Sequence, residues 1–390
     1  MFRRVGVIAG VATLATLAIV AAAAARPATH QSTSAATATC SKGVQIGMLA
    51  PITGPAGSIG SDQLHWAQFF VAQWNANKAN KIKLKLVQGD TQLDPSKAST
   101  VAQSFASNAS IMGVIGPAGS DEVQAVAPIL QKAGLAFASG SATRVSLTNG
   151  QFKGYFFRDV PNDGVQGPTD ANYMAKSLGV KSGDTVMVVD DQESYSTGLA
   201  DIVGAALAAK GVKVDRESIS QSATDFSSLV AKAGSAKVVF LPFQLASQAQ
   251  LFAQQLKAQG KSAVVFGSDG TFDSSKFNTA GAYVSFFAPD VTTIAANAKL
   301  VAAYHKMFSG GTTPFGAPNY VLAQMYATAI TKACSDNKIS RAEVRADLAK
   351  VRLASTIFGG PVSFTANGDV AGAKFYIFKI QSDGSYKTVG

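Results

Sequence analysis

The chain has 390 residues, 47% apolar and 15% charged, with a formal charge of +10, two cysteines and three histidines. That balance excludes a disordered chain and a multi-span membrane protein, and the length suits two domains at roughly 150 residues each. His30, His65 and His305 stand far apart, as do Cys40 and Cys334, which excludes a sequence-local metal cluster or zinc finger.

Residues 1–25 read as a secretory leader: Arg3 and Arg4, then an uncharged run ending in alanines. Cleavage fits after Ala25, and also after Ala36 or Ala38. The same run is long enough to be a membrane anchor, although its Ala, Gly and Thr content makes a weak span. A flexible tether, 26–43, follows, low in complexity over 27–39. Dropping residues 1–39 removes Arg3, Arg4 and Arg26 and no acid, so +10 becomes +7.

From residue 44 short apolar runs alternate with amphipathic stretches. Strands are predicted at 44–50, 82–87, 111–115 and 135–138, with helices at 62–75, 95–106 and 122–132. An extended segment, YFFRDVP at 155–161, precedes a restart of the pattern. Strands then fall at 185–189, 212–217, 237–241 and 263–266, separated by helices such as 198–210 and 246–259. VMVV and VVFL are almost wholly apolar, as parallel strands covered by helices on both faces require. VSFFAP at 284–289 precedes helices at 295–308 and 320–334, and strands at 361–364 and 374–380 close the chain around an Asn-Gly-Asp turn. The fold class is α/β: two doubly wound parallel-sheet lobes.

The remaining positive charge forms no nucleic-acid patch. Lys81, Lys83 and Lys85 alternate with apolar residues, as on an edge strand that discourages pairing. SRAEVRADLAKVR at 340–352 opens with a capping box, Ser340 and Glu343, and reads as a helix with a solvated basic face. Basic residues without interleaved aromatics argue against nucleic acid as a partner.

Open α/β sheets bind ligands beyond the carboxyl ends of their strands, so the loops there carry the chemistry. TGPAGSIG at 53–60, with Asp90, imitates a dinucleotide site, but its spacing is GxxGxxG rather than GxGxxG. No GxxxxGK[ST] or GxSxG occurs, which lowers kinase, ATPase and lipase readings. GPAGS at 116–120 places Ser120 at a helix N-cap, and the same helix end favours a carboxylate, with Ala118 and Gly119 in the loop. SGSAT at 139–143 adds hydroxyls from Ser141 and Thr143; a plain polar turn is the other reading. In the second series stand Tyr195, after one strand, and Asp269 in GSDG, after another. Tyr195 also suits a helix start and Asp269 a tight turn. Carboxylate donors in one lobe and an acid in the other make a clamp for an amino acid.

Taken in order, several short motifs make the chain resemble the branched-chain amino-acid-binding family of type I periplasmic binding proteins. They are TGP at 53–55, DPSKA at 94–98, VIGPAGS at 114–120, QGP at 166–168, TDFSSL at 224–229, GSDG at 267–270 and FTANGD at 364–369. The resemblance spans 44 to about 388. It implies three crossovers, near 158–161, 286–290 and 364–371. The N-terminal lobe is then 44–160 with 289–365, and the C-terminal lobe 161–288 with 366–390. It also implies that Ser120, Ser141 and Thr143 hold a ligand carboxylate, Tyr195 closes over the ligand and Asp269 pairs with its ammonium. The family usually has glutamate for that acid, so Asp269 reaches one methylene less far. Ile59 and the Phe243–Gln244 pair stand where larger aromatics line the side-chain pocket, which points to a different, bulkier apolar ligand.

With this architecture Cys40 and Cys334 both fall in the first lobe, where an exported chain forms a disulfide. A lipid-anchored Cys40 is the other reading, although Ala36-Thr-Ala-Thr39 lacks a lipobox pattern. The implied function is that of an exported, monomeric, non-enzymatic solute receptor, periplasmic or cell-surface associated. It delivers a small apolar amino acid to an ABC-importer permease by hinge closure, with no cofactor and no metal. Alternatives are the same fold binding an amide, urea or aromatic acid, or serving as a ligand-sensing receptor domain.

Overall fold

The computed structural model describes residues 37–309, 313–372 and 374–390; the expected leader and most of the tether lie outside the described residues. A short strand, β1 (Thr37–Thr39), pairs antiparallel with Lys338–Ser340, and the Cys40–Cys334 disulfide, with a Cα–Cα distance of 6.0 Å, secures the same place.

The first lobe runs β2 (Val44–Ala50), α1 (Gly57–Ala76), β3 (Leu84–Asp90), α2 (Pro95–Ser107), β4 (Ile111–Ile115), α3 (Ser120–Lys132), β5 (Phe137–Ser139) and β6 (Phe156–Arg158). Its five strands are parallel in the order β3-β2-β4-β5-β6. The chain then crosses to a second sheet through α4 (Asp163–Lys176), β7 (Thr185–Asp190), α5 (Ser194–Ala208), β8 (Lys213–Ser218), α6 (Ser227–Lys232), β9 (Val238–Leu241), α7 (Ala246–Ala258), β10 (Val264–Gly267) and β11 (Tyr283–Phe286). It returns with α8 (Ala298–Met307), α9 (Gly316–Ala333), β12 (Lys338–Ser340), α10 (Arg341–Leu348), β13 (Arg352–Leu353) and β14 (Val362–Ser363). A third crossing delivers β15 (Tyr376–Ile380) and β16 (Tyr386–Thr388), antiparallel additions to the second sheet, whose order is β16-β15-β11-β10-β9-β7-β8.

Both sheets reverse strand order beside their first strand, between β2 and β4 and between β7 and β9. Ligands bind at such switch points because the adjoining loops diverge there. The apolar runs explain why each sheet is covered twice. On β7, Val186 and Val188 enter one core while Met187 and Val189 enter another. On β4, Met112 and Ile115 face the α1–α9 side, and Ile111 and Val114 face α2 and α3.

Three expectations change. Lys81 and Lys83 precede β3, so Lys85 is the only one of the three lysines on that edge strand. Ser120 is the first helical residue rather than the N-cap: Gly119 caps α3, and its N–H is taken by the Glu122 carboxylate at 2.7 Å. Arg341 is not on a solvated face. The Ser340–Glu343 capping box forms, and it turns Arg341 inward to donate to the carbonyls of Phe105, Ala106, Asn108, Ile111 and Ala133 at 2.7–3.4 Å. Those carbonyls gather around the ends of α2 and α3, where helix dipoles favour a cation.

Among the described residues no helix is long and apolar enough to cross a membrane.

Candidate functional site

The strands of both sheets end on a shared cleft. A small cavity there is lined by Ile59, Leu93, Ala118, Gly119, Ser120 and Ser141 from the first lobe, by Phe315 from the returning segment, and by Tyr195, Gln244, Asp269 and Gly270 from the second lobe.

The first wall is made of short side chains and backbone. β4 is followed by Gly116, whose φ of +97 and closeness to the Leu49 carbonyl leave no room for a side chain. The turn leads into α3, whose first amides have no carbonyl within the helix to reach. Ser120 Oγ accepts from the Arg144 amide at 3.3 Å, joining this loop to the loop after β5. Ser141 Oγ donates to the Ala118 carbonyl at 3.0 Å and accepts from Gln63 Nε2 at 2.9 Å. Two hydroxyls are thus fixed beside a helix N-terminus, an arrangement that suits an anion.

The second wall carries an acid. Tyr195, in the first turn of α5, donates its hydroxyl to Asp269 Oδ1 at 2.6 Å, with Ser268 Oγ 2.7 Å away. Asp269 follows β10, where Gly270 lies too close to the Phe243 carbonyl to carry a Cβ. Burial raises Asp269 to about 6, and the Tyr195 hydrogen bond opposes that rise. Asp163, the first residue of α4, is also fully buried, and neither carboxyl oxygen has a hydrogen-bond partner among the described residues. Burial, and then the charge of Asp269, raise Asp163 to about 7. Thr143 eases that charge, yet its hydroxyl closes no bond of full geometry and Thr143 does not line the cavity. Behind the two acids Gln166 Nε2 donates to Ser285 Oγ at 3.0 Å, and Ser285 donates to Asp170 Oδ2 at 3.0 Å.

The side-chain end of the cavity is apolar. Ile59 comes from the first turn of α1 and Leu93 from a loop in which Gln92 and Leu93 both have positive φ, 54 and 61. Two consecutive residues in that region store strain, which is characteristic of binding loops. Phe315 completes this end, edge-on to Phe286 at 4.9 Å. Phe243 is absent from the lining because it points into the second lobe's core against Phe226, leaving its neighbour Gln244 on the wall. Leu93 and Phe315 add apolar surface to the lining.

Sequence reasoning missed Leu93 and Phe315 in the lining, and Asp163, buried near Asp269 outside it. A hint for Asp163 was its position three residues before Gln166 of the QGP motif, which puts both on one helix face. Asp90, which gave 53–60 its dinucleotide-like appearance, is occupied by Thr53, accepting from its Oγ1 at 2.5 Å and its amide at 3.2 Å.

The lobes meet around the cavity. Lys276 Nζ donates to Ser58 Oγ at 2.8 Å and to the Pro55 carbonyl at 3.2 Å, while Ser58 donates to Asp273 at 3.0 Å. Arg144 reaches the Ser194 carbonyl, and Ser194 donates to Gln124 at 3.2 Å. Two of the crossovers are joined by an ion pair, Arg158 to Asp369 at 2.6 Å.

Among the described residues no group of three or more His, Cys, Asp or Glu could hold a metal ion.

Comparison with known proteins gives one consistent family. A family model described as periplasmic binding protein matches residues 43–385. An amino acid binding protein of Pseudomonas aeruginosa is 27% identical over 355 residues, covering 88% of this chain and 91% of that protein. The Leu/Ile/Val-binding protein of Citrobacter freundii is 25% identical, covering 88% and 92%. Among solved structures, the branched-chain amino acid transporter substrate-binding protein LivJ of Streptococcus pneumoniae, in complex with isoleucine, superposes with a TM-score of 0.78 at 23% identity, covering 89% of this chain and 99% of that one. A solute-binding protein of R. palustris in complex with benzoate has a TM-score of 0.77 at 18% identity, covering 89% and 96%. At these identities the solved structures speak for the fold.

Proposed function

This chain belongs to the periplasmic binding protein family, and on that premise we propose that it is the exported solute receptor of an ABC importer, taking a small apolar amino acid into its cleft. One observation carries the reading: the two walls have opposite polarity. The first offers amides at a helix N-terminus and the hydroxyls of Ser120 and Ser141. The second offers Asp269, a buried acid without an ion-pair partner; Asp163 is near enough to feel its charge but does not line the cavity. A zwitterion matches both walls at once, and its apolar side chain falls between Ile59, Leu93 and Phe315. Each half of the ligand would then be held by a different lobe, so only the closed form binds it fully. The chain would work as a binding protein without a catalytic step, handing its ligand to a membrane permease. The leader at 1–25 is the export signal in this reading, and relatives named as amino-acid-binding proteins support the ligand class.

A neutral amide or urea is the second reading. Burial keeps Asp163 and Asp269 inclined to hold their protons, and a protonated carboxyl donates to a carbonyl oxygen.

A thermal-shift screen of the mature protein against amino acids, amides and aromatic acids tests these readings. A ligand at about 100 times its dissociation constant adds roughly 2.7 kcal/mol, a clear rise in the midpoint. The expected response is to apolar amino acids. A flat response to every amino acid overturns the first reading, and a response confined to amides establishes the second.

A further inference from the structure

Five polar side chains line the cleft, and four of them already have a task. Ser120 and Ser141 stand on the first wall, and Tyr195 is hydrogen-bonded to Asp269 on the second. Gln244 is the fifth. It is 7% exposed, so water does little to satisfy its carboxamide.

The backbone of Gln244 is firmly placed. Its N–H donates to Asp191 Oδ2 at 2.8 Å, and a Cβ on Gly270 would come within 2.9 Å of the Gln244 Cα. The carboxamide is held much less well. Its Nε2 lies 3.4 Å from Asp121 Oδ1 in the first lobe, and its Oε1 lies 3.4 Å from Gln221 Nε2. Ordinary N–H···O bonds measure about 2.7–3.2 Å. A carboxamide has two N–H donors and two lone pairs on its oxygen, so a donor and an acceptor are left over. Buried polar groups are normally satisfied, and the surface still free to satisfy this one is the ligand.

The neighbours of Gln244 limit what the ligand can present. Gln244 meets α3 at Asp121, and Leu93 meets it at Gly119, with Cδ1 3.1 Å from where a Cβ would stand. Hydrocarbon and carboxamide thus face the cleft side by side at the start of α3. A short branched side chain with one methyl and one hydroxyl matches the pair. The methyl packs on Leu93, and the hydroxyl donates and accepts, as Gln244 requires. A wholly hydrocarbon side chain would leave the carboxamide with its two long contacts alone.

We propose, on the basis of the amino-acid reading, that Gln244 is a specificity-determining residue, which makes the cleft favour a hydroxyl-bearing amino acid of threonine's shape over its hydrocarbon isostere.

Calorimetric titration of the full chain with L-threonine and L-valine, which differ by a hydroxyl in place of a methyl, tests it, with L-leucine alongside. Threonine is expected to bind about tenfold or more tighter than valine, since a site that hydrogen-bonds a hydroxyl penalises its loss. Gln244→Leu keeps the bulk and removes both polar ends of the carboxamide, so it should bring the two affinities together or reverse their order. Equal or tighter binding of valine by the wild type overturns the proposal, whether or not the variant folds. So does a threonine preference that Gln244→Leu leaves intact, because another group would then read the hydroxyl. Binding of leucine with neither threonine nor valine overturns the proposal alone. If none of the three binds, the amino-acid reading fails and the proposal falls with it.

Discussion

The two walls of the cleft solve different problems with different materials. The first-lobe wall needs hydrogen-bond donors, and it obtains them from the first amides of α3 and the Ser120 hydroxyl; Ser141, which gives its proton to the Ala118 carbonyl and accepts from Gln63, can serve a ligand only by turning that proton to it. The second-lobe wall needs negative charge, which only side chains supply, and it leaves that charge incomplete. Asp62, in the first lobe, makes the contrast sharper. Burial pushes Asp62 and Asp163 alike to about 7, but Asp62 accepts from Thr313, Tyr304 and the Gly316 amide, whereas Asp163 accepts from none of the described residues. Burial marks an acid as unusual; the missing partner marks it as a candidate for binding.

The largest effect should come from removing charge on the acidic wall. Asp269→Asn is expected to weaken amino-acid binding at least tenfold, within the roughly 2–5 kcal/mol typical of truncating a buried charge pair. Calorimetry giving wild-type affinity would take Asp269 out of the site and end the contrast between the walls.

Breaking the Cys40–Cys334 bond should act on the other property, stability. Replacing both cysteines by serine is expected to cost about 2–4 kcal/mol in denaturant unfolding, with cleft affinity preserved, because the bond lies at the N-terminal strand and away from both walls. A loss of affinity with no loss of stability would contradict that separation.

On the donor wall a single hydroxyl is worth less. Ser141→Ala should weaken binding by about 1 kcal/mol, roughly fivefold, since backbone amides remain to hold the carboxylate. An effect as large as that of Asp269→Asn would mean the walls are not different in kind.

The gentlest probe is pH. Asp163 at about 7 and Asp269 at about 6 lie above the ordinary carboxylate value of 3.8, so the folded chain keeps protons that the unfolded chain releases. The stability they contribute is fully present below pH 4 and lost as pH rises through 6 to 7. Asp62, Glu122 and Asp191 shift the same way, so the ligand-free melting midpoint should fall across this range. Asp163→Asn should reduce that fall, as read from melts in a pH series; an unchanged slope would remove Asp163 from the account.

Much of this molecule is local enough to be legible in its sequence. Alternating apolar runs such as VMVV and VVFL specify doubly covered parallel strands, because each residue's burial follows from the two-residue period alone. The loops that carry Ser120, Ser141, Tyr195 and Asp269 were identifiable because a doubly wound sheet has only one end at which loops can meet a ligand. What lay beyond reach depends on partners distant in the chain. Whether a buried acid is satisfied is decided by contacts such as Asp62 with Gly316 or Arg158 with Asp369, which no local pattern encodes. Whether Phe243 or Gln244 faces the cleft turns on the backbone direction of one loop. Arg341 looked solvated because its helix is polar, and it is buried because α2 and α3 end, and β4 begins, around it. The sequence by itself determined the sheets and the end of them that binds. Only the tertiary structure decided which charges are left without partners, because pairing is a property of the assembled fold.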